Sequence, residues 1–383
     1  MKLEEPRIKT ALPIEFYALV FPCFLICLAL LIMHTPFVLI FSGSFIHQSL
    51  LVTIKSDVPL LLGVSVICAY ILFKTVASFT RNKGHVKNDL LKILRSSFFL
   101  FLTIIFTNIV ILFLMNQLYY TADIKDVIWN SNMLMGFDHA LFGSYLPFAS
   151  HALGRVPYLE FAALWSYLYL LAIGPILLAF LFFFSAKLFR GFILGFFISA
   201  LIGQVGWTLF PALSPVAMYR LNVLRAPIST GISKEVQNSI SPYMRSMIPN
   251  IENQYVDPSE RALAVSTFPS MHVAWGVIIL IFGIMLFRPS MLFLIPWFIL
   301  NMAGAIFSEQ HYGVDVISGV IVGLLSVFLA QYLLRVDAKI LRDKYSFLHV
   351  LKMANEDRVR LIVALKSWGC GHLAFLTRRK EIL

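Results

Sequence analysis

Long apolar stretches, separated by short polar breaks, recur along the chain. A helix needs about 20 mostly apolar residues to cross the hydrocarbon core of a bilayer. Eight stretches read as such helices: about 16–41, 58–79, 97–120, 156–185, 188–210, 272–287, 290–307 and 314–334. The sixth and seventh are short and close together. The pattern predicts an all-α fold, a polytopic transmembrane bundle of about eight spans. In the last span Gly319 and Gly323 form a small-x-x-x-small pair suited to close helix packing.

Two long segments separate spans. Segment 121–155 carries Trp129, Phe137, Leu141, Phe142 and Phe148 and is too apolar for a free loop. It is expected to lie along the membrane interface. Segment 211–271 is polar and punctuated by seven prolines, among them Pro211, Pro215, Pro258 and Pro269. The tail, 336–383, mixes basic residues with Ile340, Phe347, Leu351, Val359 and Trp368, which suggests an amphipathic helix on an anionic inner leaflet or one packed on the bundle.

Composition agrees with this reading. Of the 383 residues, 59% are hydrophobic and only 13% charged, against about 45–50% and 25% in soluble domains. That excludes a soluble globular enzyme, a disordered chain and a disulfide scaffold. The net charge of +11 fits loops facing anionic lipid better than nucleic acid. With both termini in the cytoplasm, eight of the 31 Lys and Arg residues fall outside: Lys55, Lys125, Arg155, Arg220, Arg225, Lys234, Arg245 and Arg261. The remaining 23 fall inside, and that bias sets the orientation. The first apolar stretch is too long for a signal peptide and reads as a retained span. Cys23, Cys27 and Cys68 sit in spans and Cys370 in the inner tail, so no external disulfide is predicted.

Candidate chemistry lies in two short stretches, Phe268-Pro269-Ser270-Met271-His272 and His311-Tyr312-Gly313-Val314-Asp315. His272 opens the sixth span and His311 precedes the eighth. The chain goes in and returns between them, so both fall on the outer face. His311 and Asp315 are four apart, one helical turn, and the carboxylate can fix the imidazole tautomer. Pro269 and Ser270 suit a helix start, whose free N–H groups attract phosphate. Together these groups predict phosphoryl transfer without a metal or cofactor. His311 attacks phosphorus, and His272 protonates the leaving group and later acts as base on the acceptor. Opposite protonation states predict a bell-shaped pH profile. His34 reads as a packed or solvated histidine, Asp138 as a structural residue capping a short helix, and Glu309 as an exposed loop glutamate.

These two stretches resemble the second and third signature motifs of the type 2 phosphatidic acid phosphatase superfamily. Phe137-Asp138-His139-Ala140-Leu141-Phe142-Gly143 and Phe210-Pro211-Ala212-Leu213-Ser214-Pro215 are similar to stretches of its inositol phosphorylceramide synthase branch. The resemblance covers about 130–335. It implies a six-helix catalytic core within 97–335, after a two-span region 1–96 and before the tail. It also implies His272 as acid, His311 as nucleophile and Asp315 as its partner. Three features depart from the phosphatase type. Met271 replaces its glycine, Gly304 and Ala305 replace a Ser-Arg pair, and its first signature is absent. Phosphate-binding candidates are therefore Ser270 and the outside arginines Arg220, Arg225, Arg245 and Arg261.

The sequence thus predicts a membrane enzyme that moves a phospho-headgroup, phosphoinositol by resemblance, from a phospholipid to a lipid alcohol such as ceramide. Its active site is expected on the extracytoplasmic or lumenal side. Its partners are expected to be lipid substrates and the bilayer, with no nucleic acid; self-association is left open. The rivals are a lipid phosphatase using water and a non-enzymatic lipid transporter or scaffold.

Overall fold

The computed structural model describes residues 67, 69–70, 124–147, 157–220, 267–340, 356–360 and 363. The spans expected at 16–41 and 97–120 and nearly all of 58–79 lie outside the described residues. So do the four cysteines, His34 and most of the tail. Among the described residues the regular elements are helices: α1 (Ile124–Phe142), α2 (Pro157–Leu168), α3 (Leu170–Phe184), α4 (Ala186–Leu209), α5 (Pro215–Arg220), α6 (Met271–Leu286), α7 (Met291–Phe307) and α8 (Gly313–Ile340). A 3-10 turn, Arg288–Ser290, joins α6 to α7.

Three of these are long and apolar enough to cross a membrane: α4, α7 with its preceding turn, and α8. The expected span 156–185 is instead two helices, α2 and α3, bent by 53°; as one broken span they bring the number to four. The bend has a local cause. The amides of Ala172 and Ile173 both reach the carbonyl of Tyr169, at 2.9 and 3.3 Å. Pro175, in the first turns of α3, has no N–H to give. Helix α6 is apolar but has 16 residues, about 24 Å at 1.5 Å per residue. The apolar segment expected at the interface contains the 19-residue helix α1, with Trp129, Phe137 and Leu141 exposed.

In lipid, helices gain little from hiding apolar surface and associate through close packing. The core shows this. Phe182, Phe189 and Phe282 are fully buried, and Phe192 meets Phe282 edge-on at 5.8 Å. The Gly319/Gly323 pair lets α8 touch α6 backbone to backbone. A Cβ at Gly319 would collide with the Ser270 carbonyl, and one at Gly323 would lie 2.7 Å from the Ala274 carbonyl. Helix α7 lies along α2 in the same way, since a Cβ at Gly304 would strike the Ala163 carbonyl and sit 2.7 Å from the Tyr167 Cβ. These contacts bring the starts of α6 and α8 and the end of α2 together.

The opposite end of the bundle is held by charge. Arg190, in the first turns of α4, donates to Asp337 of α8 at 2.8 Å, and both are buried. Helix α8 therefore continues past the boundary expected at 335, and the first tail residues are its last turns. Of the tail, residues 356–360 are helical. Tyr70 donates to Asp357 at 2.9 Å, and Arg358 lies 4.8 Å over the Phe184 ring. This short piece packs on the bundle.

Candidate active site

Helix α6 starts at Met271 after an extended Ser270, and this places His272 in its first turn. His311 ends the turn between α7 and α8, and Asp315 lies in the first turn of α8. The imidazoles of His272 and His311 are 6.2 Å apart, ring centre to ring centre. Ser270 is joined to the same cluster, its amide donating to the Asp315 carbonyl at 3.2 Å. Thus Ser270, His272, His311 and Asp315, which span 46 positions of sequence, share one end of the bundle. Arg220 is the last residue of α5. Arg225, Arg245 and Arg261 lie outside the described residues.

The turn carrying His311 is fixed from three sides. Glu309 takes a positive φ of 54°, a strained conformation for a residue with a side chain. Its carbonyl accepts from the Val216 amide at 3.1 Å. The Gln310 carbonyl accepts from the Thr267 hydroxyl at 3.2 Å. The Tyr312 hydroxyl donates to the Leu213 carbonyl at 3.1 Å. Glu309 is buried, contrary to the exposed loop position expected from sequence. A turn pressed against α5 has no solvent face for it.

Asp315 was expected to accept from the His311 ring. Its Oδ2 lies 3.5 Å from Nδ1, whereas the Thr267 carbonyl lies nearer, at 3.1 Å. A carbonyl can only accept, so Nδ1 carries the proton and Nε2 keeps its lone pair. Asp315 Oδ2 instead accepts from the Tyr312 amide at 2.9 Å. The carboxyl group caps its own helix and sits beside the ring. Burial, and secondly the charge of His272, push His311 down to about 3, with the Thr267 contact opposing. The ring is therefore neutral, as a nucleophile must be.

Asp138 has a larger part than capping a short helix of its own. From α1 it reaches the start of α8, where Oδ2 accepts from Gly313 and Oδ1 from Val314, both at 2.9 Å. The neighbouring Ser131 accepts from the Leu213 amide at 2.8 Å, and Asn130 donates to the Pro211 carbonyl at 3.0 Å. Helix α1 and the stretch 210–215 thus form one support under the turn that carries His311.

Two neighbours of the site carry no sequence signal. Thr267 acts through its carbonyl, which every residue type has. Tyr167 stacks on His272 at 4.4 Å and meets His311 edge-on at 6.2 Å. In sequence it is one aromatic among many in an apolar stretch, and only the Gly304 contact brings it here.

The sequence pattern that defines the PAP2 superfamily matches residues 132–329, more than half of the chain. The chain belongs to the PAP2 superfamily. The match contains Asp138, Tyr167, Ser270, His272, His311 and Asp315. Members of this superfamily are generally phosphatases or phosphotransferases, and the apolar helices fit a membrane enzyme of that kind acting on lipids. No curated protein and no solved structure matches the chain. The departure at Gly304 and Ala305 has a packing cause in this PAP2 protein. Helix α2 leaves no room for a side chain at 304, and Ala305 is fully buried.

Proposed function

We propose that this PAP2 protein is a lipid phosphotransferase working through a phosphohistidine at His311. The observation that carries the reading is the pair of imidazoles 6.2 Å apart, one of them with Nδ1 bonded to the Thr267 carbonyl, which supports Nε2 as the attacking atom. In the first step a bond forms between His311 Nε2 and phosphorus. The bond from phosphorus to the leaving lipid oxygen breaks, and His272 gives that oxygen its proton. In the second step the acceptor hydroxyl oxygen attacks phosphorus, and its proton goes to His272. The N–P bond breaks and both histidines return to their starting forms. Ser270 and the first turn of α6 bind the phosphate oxygens, joined by Arg220, Arg225, Arg245 and Arg261 from the polar segment.

The missing Ser-Arg pair argues for transfer rather than plain hydrolysis, because the phosphatase-type clamp has no place beside α2. On the resemblance of 137–143 and 210–215, the group moved is phosphoinositol and the acceptor ceramide or a similar lipid alcohol. Lys187, Arg190 and Arg288 lie at the ends of α4 and α6 away from the site, and by the positive-inside rule this supports an outer or lumenal site.

The test is purified protein with headgroup-labelled phosphoinositide and ceramide. Label should appear in a new lipid, and His311→Ala should abolish it. Label released only as a free phosphorylated headgroup would make the enzyme a hydrolase. Full activity in His311→Ala would leave only the transporter or scaffold reading.

A further inference from the structure

We infer that Tyr167 is the positioning residue of the acid, its ring face holding the His272 imidazolium through the first step. The inference rests on the function proposed above, in which His272 must carry a proton in an apolar setting. Among the described residues His272 makes no hydrogen bond or ion pair; its neighbours are rings. Tyr167 lies closest, at 4.4 Å and within 29° of parallel, and Trp275 is tilted at 6.1 Å. Asp315, the nearby carboxylate, faces His311 instead. An aromatic face attracts a cation within about 6 Å, most strongly where water is excluded. Tyr167 is itself buried. The stacked ring therefore supplies the attraction that a carboxylate supplies elsewhere.

The placement of Tyr167 is built into the helices. It is the penultimate residue of α2, just before the 53° bend, and Gly304 lets α7 press against its Cβ.

Position 167 can be varied in ring electronics at nearly constant shape. Tyr167→Phe should keep kcat within about threefold, since the ring face remains. Phenylalanine analogues with increasing ring fluorination should lower kcat stepwise, while KM stays within about twofold. Tyr167→Leu should lower kcat on the order of tenfold. A flat kcat across the fluorinated series would overturn the inference, as would a Tyr167→Phe variant as impaired as Tyr167→Leu, or an effect confined to KM. The fluorinated series decides the matter even if the leucine variant does not fold. The proposed function is read separately, from headgroup-phosphohistidine in the parent and its absence in His311→Ala. A parent without that adduct sinks the function itself, whatever position 167 does.

Discussion

Two helix starts meet at the site, and they are finished in opposite ways. At α8 the amides of Tyr312, Gly313 and Val314 are all taken by carboxylates, one from Asp315 and two from Asp138. At α6 Ser270 makes no side-chain cap, and its buried hydroxyl has no partner among the described residues. Both ends carry the positive pole of a helix dipole. Only one is already neutralised. The amides at the start of α8 are occupied in holding the turn of His311, while in the function proposed above those at the start of α6 are left for phosphate. In the proposed reaction one helix end positions His311 and the other binds the phosphate it attacks.

The contrast can be broken from either side. The largest effect is expected for Asp315→Ala, which uncaps α8 and removes the carboxyl group beside Nδ1. Transfer should fall by on the order of 10³-fold in a radiolabel assay, and a loss under tenfold would make the residue a cap only. Ser270→Ala comes next. It should cost about 10- to 100-fold in kcat/KM with little change in thermal stability, because its hydroxyl supports nothing in the unliganded protein. A fall in Tm without a kinetic effect would reverse its role.

Asp138→Ala should act mainly on stability. Two hydrogen bonds to the start of α8 are lost, about 2–3 kcal/mol by urea or thermal unfolding in detergent. Activity should fall about tenfold, through a loosened turn, and Asp138→Asn should recover part of both. The smallest expected effect is an absence of change. His311 lies well below its ordinary 6.5, so it is neutral throughout pH 5–7. Formation of the alkali-stable, acid-labile histidine adduct should not decline as pH drops through 6.5. A decline there would mean a solvated, ordinary ring.

Much of this site was legible in the sequence, and the illegible part has a definite character. His272, His311 and Asp315 could be placed together because spans return the chain to one face at predictable intervals. Ser270 could be read from its place before an apolar run. Asp138 was visible as a structural residue, but its partner lies 175 positions away, and local pattern does not register such pairing. Tyr167 and Thr267 were invisible for different reasons. One depends on how closely two helices approach, and the other contributes only backbone. The bend between α2 and α3 was missed because hydropathy measures apolar length and is blind to direction.

The buried Arg190–Asp337 pair bears on all of this from far away. Asp337 and Asp315 lie 22 residues apart on α8, about 33 Å along its axis. Sliding that rod by a single residue would turn it by about 100° and pull a buried salt link apart. The charge pair therefore acts as an index pin, and the level of Asp315 along the bundle is set at the other end of the helix.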